Sequence, residues 1–217
     1  MSRVLGGYFI TLEGPEGSGK TTQAHRLEAR LREAGVPVLY TREPGGTQIG
    51  DRIRQMLLDP GSCGLDAHAE FLLYAAGRAQ HMAEKITPAL DRGLTVISDR
   101  FMDASIAYQN YGRGLDKDAL RGINAFATHK RIPDLTVILM IPVAEGLKRA
   151  INTPKEGHVT GVGDRIEQET IEFHQRVADG YRALAAAEPD RFVTIDAAVP
   201  LAELTDTIYT LVRERRG

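Results

Sequence analysis

The fold of this chain is decided by eight residues, Gly14-Pro15-Glu16-Gly17-Ser18-Gly19-Lys20-Thr21. They fit the pattern G-x-x-x-x-G-K-[S/T], in which glycines allow successive backbone N–H groups to turn inward around an anion. An apolar run at residues 8–12 enters the motif, and an amphipathic stretch at 19–34 leaves it. A strand, a phosphate-binding loop and a helix are therefore predicted in that order.

The motif also predicts which side chains would contact a nucleoside triphosphate. Lys20 would reach the β- and γ-phosphates, and the Thr21 hydroxyl would bind Mg²⁺. The helix that follows adds its positive N-terminal end. The pattern indicates nucleotide binding, but alone it does not separate kinases from GTPases or motor ATPases.

Length, charge and composition exclude several classes of protein. The chain has 217 residues, a length typical of one domain, and its formal net charge of −2 argues against a general nucleic-acid binder. Its strongly apolar runs are far shorter than the ~20 residues that cross a bilayer, so no membrane segment is expected. The single cysteine, Cys63, excludes an internal disulfide and favours a cytoplasmic location.

Short apolar runs alternate with longer helical periods, which is typical of an α/β chain with a parallel sheet. The pattern predicts five strands, at 8–12, 36–41, 94–98, 135–141 and 192–195. It predicts helices at 19–34, 49–58, 67–86, 116–128, 143–151, 167–187 and 201–213. Residues 152–163 are rich in glycine, threonine and polar side chains and are interpreted as a mobile loop.

Charged residues follow the third predicted strand. Because the carboxyl ends of parallel strands meet at one sheet edge, Asp99 and Arg100 are expected beside the phosphate loop. Asp99 would hold Mg²⁺, and the planar guanidinium of Arg100 would clamp a phosphate. Glu13, which ends the first strand, is a further candidate metal ligand.

Further motifs join the phosphate loop, and together they spread over about three quarters of the chain. In order, the stretches are Glu13-Gly-Pro-Glu-Gly-Ser-Gly-Lys-Thr-Thr22, Thr41-Arg-Glu-Pro-Gly-Gly-Thr47, Tyr74-Ala-Ala-Gly-Arg-Ala-Gln-His81, Asp99-Arg-Phe101, Ala107-Tyr-Gln109, Gly112-Arg-Gly114, Pro133-Asp134-Leu135 and Asp164-Arg-Ile-Glu167. Taken together, they resemble the thymidylate kinase family. The resemblance implies a P-loop NTPase-type fold: a five-stranded parallel sheet with helices on both faces, in a single domain over residues 1–217 with a lid at about 152–163.

The implied activity is transfer of the γ-phosphoryl group of ATP, with Mg²⁺, to thymidine monophosphate (dTMP), giving dTDP on the route to dTTP. The resemblance also implies a cytoplasmic homodimer whose partners are small nucleotides. Its catalytic residues would be Lys20, Arg100, Asp99 and Lys155, and its metal ligands Thr21, Asp99 and Glu13. Its ATP-binding residues would be Gly14, Pro15, Glu16, Gly17, Ser18, Gly19, Lys20, Thr21, Thr22 and Arg149.

The resemblance implies an acceptor site made of Glu16, Arg42, Glu43, Tyr74, Arg78, Arg100, Ser105, Tyr108 and Gln109. Tyr74 would stack on thymine and Arg78 would hydrogen-bond it, Arg100 would hold the acceptor phosphate, and Tyr108 would crowd the 2′ position of the sugar. Spacing alone adds that positions 74 and 78 lie on one helix face. From spacing alone, a half-buried aromatic and a surface charge would be the favoured interpretation.

Three departures from the family pattern stand out. The predicted lid contains Lys155 but no arginine, and a lysine cannot make the bidentate contact of an arginine. Gly77 stands where the family often has Asp, and Ala104 where it often has Ser. Both replacements are expected to loosen the acceptor site.

Charge considerations shape the expected mechanism. A nucleotide phosphate has its second pKa near ~6, so the acceptor is already a dianion at neutral pH and Asp99 is not assigned as a general base. A kinase for UMP, CMP or AMP, a regulatory GTPase and a non-catalytic nucleotide-binding module stay open as alternatives. The six histidines have no metal-ligand spacing and are interpreted as surface or partner-bonded residues.

Overall fold

Five parallel strands form the centre of the molecule. The computed structural model describes residues 7–154 and 162–217. The strands are β1 (Tyr8–Glu13), β2 (Val38–Arg42), β3 (Thr95–Asp99), β4 (Leu135–Met140) and β5 (Phe192–Asp196). They form one sheet in the order β2-β3-β1-β4-β5. The predicted α/β class and five-stranded parallel sheet are confirmed.

Helices connect the strands. The α-helices are α1 (Lys20–Glu33), α2 (Gln48–Leu58), α3 (Ala67–His81), α4 (Thr87–Asp91), α5 (Met102–Ser105), α6 (Lys117–Ala127), α7 (Val143–Asn152), α8 (Ile171–Ala187) and α9 (Leu201–Arg216). A 3₁₀ turn follows α2 at Pro60–Ser62, and a π-helical turn, Met82–Ile86, joins α3 to α4. A second π-helix, Ile106–Gly112, continues α5. In the described residues no helix is both long and apolar enough to cross a membrane.

The helices cover both faces of the sheet. On one face, Ile10 and Leu12 of β1 pack in a cluster with apolar residues of α1 and α9. On the other face, Phe9 of β1 packs with Met82 and Phe101. This alternation follows from the period of two along a strand, and both faces of β1 are therefore buried.

Two predicted elements begin two or more residues later than expected, and a helical segment was missed. The second strand begins at Val38 rather than residue 36 because Pro37, just before it, has no backbone N–H to pair in a sheet. The long helix predicted from 167 begins at Ile171, where Thr170 Oγ1 accepts the N–H of Phe173 at 3.2 Å as an N-cap. The helical segment from Met102 to Gly112 was not predicted at all.

Close glycine contacts bring α7 against the phosphate loop. A Cβ atom built on Gly146 would lie only 2.3 Å from the backbone oxygen of Glu16. A Cβ atom on Gly17 would lie 1.9 Å from the backbone oxygen of Gly146. Both positions exclude larger residues because the obstacle in each case is backbone, and the loop and the helix are held in direct contact.

Candidate active site

A cavity of about 850 Å³ opens at the carboxyl edge of the sheet. Register explains its position: β1 and β3 are neighbours, and Leu12 pairs with Asp99. The loop that follows β1 and the residues that follow β3 therefore emerge side by side. The cavity is lined at one end by Gly17, Gly19, Lys20 and Thr21 and at the other by Tyr74, Arg78 and Ser105.

Lys20 is held at the phosphate end by the loop itself. Its ammonium donates to the backbone oxygens of Gly14 at 3.1 Å and Pro15 at 2.8 Å, and to Ser18 Oγ at 3.2 Å. Burial and the neighbouring charge of Arg100 lower the pKa of Lys20 to about 8. The lysine is thus a buried cation beside a loop of backbone N–H groups, which suits a phosphate chain.

Oxygen donors suitable for a magnesium ion lie beside Lys20. The Thr21 hydroxyl donates a hydrogen bond to Asp99 Oδ2, so the two predicted ligands are in contact. In the described residues no three His, Cys, Asp or Glu side chains converge as a metal site. Magnesium usually takes only one or two protein ligands, with phosphate and water oxygens completing its shell, so this pair fits it.

Glu13 does not share the cavity with that pair. It is fully buried and does not line the cavity. Its Oε1 accepts the N–H of Phe101 at 2.7 Å and its Oε2 the hydroxyl of Tyr181 at 2.8 Å. Burial, reinforced by the charge of Asp103, raises the pKa of Glu13 to about 7. This geometry anchors the segment after β3 and does not favour Glu13 as a metal ligand.

Arg100 lies between the two ends of the cavity. Its Nη1 donates to the Gly14 oxygen at 3.0 Å and to Tyr181 Oη at 3.1 Å. Its Nη2 donates to Glu16 Oε1 at 2.8 Å and to Tyr108 Oη at 2.9 Å. The backbone of Arg100 is left-handed, with φ of 69°. Asp99 and Arg100 thus lie beside the phosphate loop, as the sequence predicted from strand order.

Glu16 stays ionised in this arrangement. Burial alone would raise the pKa of Glu16, but the charges of Arg100 and Lys20 outweigh it and lower the pKa to about 2. The Tyr108 hydroxyl donates to Glu16 Oε1 at 2.7 Å. The structure therefore brings Glu16, Arg100 and Tyr108 together as one hydrogen-bonded triad at the middle of the cavity.

Arg78 lines the far end, but it is buried rather than exposed, with 1% of its surface accessible. Its Nε donates to Glu43 Oε2 at 2.9 Å, its Nη1 to Asn124 Oδ1 at 2.5 Å, and its Nη2 to Ser105 Oγ at 3.1 Å. Tyr74, one helical turn earlier on α3, is half-buried and also lines the cavity. The structure places this ring and guanidinium at the same end of the cavity.

The other predicted acceptor residues also line the cavity. Arg42, Glu43 and Gln109 line the cavity, although Gln109 donates to Glu70 Oε1 at 2.8 Å and is buried. Of the two departures that concern the acceptor site, Ala104 lines the cavity. Gly77 does not line it, and a Cβ atom there would meet only Ile53, at 3.8 Å.

The structure describes only the two ends of the predicted lid. Arg149 lies on α7, lines the cavity and forms a hydrogen-bonded ion pair with Glu145. Lys155 lies outside the described residues. Beyond the lid, Arg165 donates to the Leu57 oxygen at 2.7 Å and to Glu70 Oε2 at 2.7 Å, which ties the returning chain to α2 and α3.

Sequence reasoning missed several buried partners of these residues. Asn124, Tyr181 and Glu70 were not singled out, and His81 was grouped with the other histidines. His81 is completely buried and has hydrogen-bond partners at both ring nitrogens, which agrees with the partner-bonded interpretation. That interpretation is wrong for His174, which is buried and has no hydrogen-bond partner at either ring nitrogen among the described residues. The one available signal was the position of His81 on α3, three residues after Arg78 and therefore on the same helix face.

Comparison with known proteins identifies the family. The family model described as thymidylate kinase matches residues 12–208. The chain belongs to the thymidylate kinase family. Thymidylate kinase of Deinococcus radiodurans is 51% identical over 96% of this chain and 98% of its own length. Those of Solidesulfovibrio magneticus and Bacillus pumilus are 49% and 43% identical over 94% and 97% of this chain, covering 98% and 97% of their own lengths.

Thymidylate kinase membership confirms the resemblance drawn from the motifs and makes the chain a phosphotransferase whose substrates are nucleotides. The matched region begins within β1 and ends in α9, so it includes the phosphate loop, Asp99, Arg100 and the residues around Tyr74. The roles of individual residues rest on the geometry described above.

Proposed function

We propose that this protein transfers the γ-phosphoryl group of ATP to dTMP, giving dTDP and ADP. One observation carries the proposal: a single cavity joins the phosphate loop and the Thr21–Asp99 pair to the Tyr74–Arg78 end, with Arg100 between them. Two nucleotides laid end to end in that cavity would bring their phosphates together beside Arg100.

The reaction forms a P–O bond from an oxygen of the acceptor phosphate to the γ-phosphorus and breaks the bond from that phosphorus to the β,γ-bridging oxygen. The acceptor oxygen is already deprotonated at neutral pH, since the second phosphate pKa is near ~6. No general base is needed. The main obstacle is repulsion between two anions, so catalysis depends on positioning and charge neutralisation.

The donor nucleotide would bind at the loop. Gly14 to Gly19 would surround its phosphates with backbone N–H groups, and Lys20 would exchange its contacts with loop oxygens for phosphate oxygens. A magnesium ion held by Thr21 and Asp99 would neutralise charge on the phosphates. Arg149 of α7 lines the same cavity and would approach the donor from the lid side.

The acceptor would bind at the other end. Arg100 would hold its phosphate, Tyr108 and Glu16 would contact its sugar, and Tyr74 and Arg78 would contact the base. The existing triad supports this assignment, because Arg100, Glu16 and Tyr108 are already within hydrogen-bond distance of one another. A cation with a planar fork suits a phosphate, and a carboxylate suits a sugar hydroxyl.

A turnover assay tests the proposal. ADP release would be measured with ATP and Mg²⁺ and with dTMP, dUMP, UMP, CMP and AMP as separate acceptors. We expect dTMP to give the highest kcat/KM. A higher value for UMP, CMP or AMP would reject the acceptor assignment and keep the reaction class, whereas no ADP release with any acceptor would reject the kinase function.

We also propose that the protein is a cytoplasmic homodimer. Large apolar side chains are exposed on α2, α3 and α6, which pack side by side: Ile49 at 49%, Met56 at 55%, Leu72 at 52% and Phe126 at 85%. A second copy covering this surface would bury them. Sedimentation should report a dimer for the wild type and a monomer for Phe126→Glu. A wild-type monomer at micromolar concentration would contradict the proposal.

A further inference from the structure

A buried histidine lies behind the arginine at the base end of the cavity. His81 Nδ1 lies 3.1 Å from Glu43 Oε1, and His81 Nε2 lies 2.5 Å from Thr41 Oγ1. The other oxygen of Glu43 accepts from Arg78 Nε at 2.9 Å. Thr41, His81, Glu43 and Arg78 thus form one continuous buried chain of hydrogen bonds.

Hydrogen-bond chemistry determines the direction of this chain. The Glu43 carboxylate can only accept, so the hydrogen shared with His81 belongs to Nδ1. In the neutral ring Nε2 then accepts the hydroxyl hydrogen of Thr41. Both oxygens of Glu43 are thereby occupied by fixed donors, and its carboxylate cannot rotate away from Arg78 without breaking a bond.

The backbone closes around the same ring. Glu43 precedes Pro44 and the glycine pair Gly45-Gly46, and Gly46 has φ of 81°. A Cβ atom on Gly46 would lie 2.8 Å from His81 Nε2 and 2.8 Å from Thr41 Oγ1. The turn that follows β2 therefore packs closely on the imidazole and leaves no space for a side chain at residue 46.

This chain of hydrogen bonds controls the orientation of the Arg78 guanidinium. A guanidinium has five N–H groups. Among the described residues, Arg78 donates once from Nε to Glu43, once from Nη1 to Asn124, and twice from Nη2, to Ser105 and to the Phe101 oxygen. One N–H, on Nη1, is left for a ligand in the cavity that Arg78 lines. Because the guanidinium is planar, fixing Nε fixes the direction of that N–H.

We propose that His81 is a positioning residue for acceptor recognition. It fixes the Glu43 carboxylate, and through Glu43 it aims the remaining N–H of Arg78 at the nucleotide base. The inference rests on the proposed function, since it assigns Arg78 to the base of dTMP. It gives a role to the turn Thr41–Thr47 and to a histidine that touches no substrate.

Three variants and a matched control test the inference. His81→Leu removes both hydrogen bonds, Thr41→Val removes only the bond at Nε2, and His81→Asn keeps an amide N–H close to the position of Nδ1. His68→Leu makes the same chemical change at an exposed position at the start of α3. For each protein, KM for dTMP, KM for ATP, kcat and the inhibition constant of thymidine would be measured, with urea unfolding as a check on folding.

We expect His81→Leu to raise both KM for dTMP and the inhibition constant of thymidine by ~10-fold, which corresponds to the loss of one well-placed bond to a charged group. KM for ATP should change by less than ~2-fold because the ATP contacts lie at the other end of the cavity. Thr41→Val should give a smaller rise, His81→Asn should recover most of the affinity, and His68→Leu should match the wild type.

Different outcomes would overturn this inference alone or the proposed function as well. If the wild-type enzyme uses dTMP but Thr41→Val binds thymidine as tightly as the wild type, this inference alone is overturned, even if His81→Leu does not fold. Equal increases in KM for ATP and dTMP would also overturn it, since a general loss of packing would explain them. Failure of the wild-type enzyme to use dTMP would overturn the proposed function and this inference together.

Discussion

Replacing Glu13 with glutamine should change how the stability of the protein depends on pH. Glu13 is completely buried, and burial with the charge of Asp103 raises its pKa from the usual 4.5 to about 7. The unfolded chain therefore releases this proton near pH 4.5 and the folded chain near pH 7. Between these values the folded state binds more protons, so its stability must fall as the pH rises.

The magnitude follows from the two pKa values. A difference of about 2.5 in pKa, at ~1.4 kcal/mol for each tenfold change, makes this contribution about 3 kcal/mol smaller above pH 7 than below pH 4.5. Most of the loss occurs between pH 5 and 7. Glutamine has no titratable proton, so the Glu13→Gln variant should lack this component of the pH dependence.

Urea unfolding at pH 5, 6, 7 and 8 would measure it, in the absence of nucleotides and metal. The free energy of unfolding of the wild type, relative to that of Glu13→Gln, should decrease by roughly 2 to 3 kcal/mol from pH 5 to pH 8. Glu33→Gln, which changes an exposed carboxylate on α1, serves as the control and should run parallel to the wild type. Parallel curves for the wild type and Glu13→Gln would refute the reasoning, because they would mean that Glu13 is ionised at pH 5 in the folded protein.

Three further substitutions probe the site. Lys20→Ala should lower kcat by ~10²-fold or more with an unchanged circular dichroism spectrum, and near wild-type turnover would reject the role of the loop. Arg100→Ala should raise KM for dTMP far more than KM for ATP, whereas equal rises would argue against an acceptor clamp. Gly146→Ala should cost ~1–3 kcal/mol of stability and lower kcat, because its Cβ would meet the Glu16 oxygen at 2.3 Å. The control is Gly122→Ala in α6, where no atom lies within 4 Å of the added Cβ. Equal effects of the two substitutions would contradict the packing argument.

The sequence predicted the parts of the molecule that depend on local patterns. Lys20 and Thr21 could be placed because their motif carries its own strand and helix. Asp99 and Arg100 could be placed beside them because parallel strands end at one edge. In each case a short stretch, combined with a general rule of sheet topology, was sufficient.

The helix that carries Tyr108 could not be predicted in this way. Residues Ile106–Gly112 form a π-helix whose packing is non-local: a Cβ atom on Gly112 would lie 2.6 Å from the ring of Phe173, and one on Gly180 would lie 2.8 Å from the ring of Tyr111. These contacts join segments that lie 61 and 69 residues apart in sequence. Close packing of this segment against α8 overrides its local helix propensity, which alone does not predict a helix at these residues.

The environment of Arg78 was also beyond local reasoning. Spacing placed it on one face with Tyr74, but an arginine on a helix is usually exposed. Its burial depends on Glu43 and Asn124, which lie 35 and 46 residues away in the chain. Only the folded structure shows that these partners converge and occupy most of its donors.

The hydrogen bonds of Arg100 affect which anions can bind to the protein. All four terminal N–H groups of this arginine already have protein acceptors, and one of these is the ionised Glu16. A phosphate that binds these terminal nitrogens must displace their acceptors, so a free inorganic anion gains little by binding there. A nucleotide also gains contacts through its sugar and base, and these additional contacts make the exchange favourable. We therefore expect millimolar sulfate or inorganic phosphate to inhibit the protein only weakly, because these anions lack the sugar and base contacts of a nucleotide.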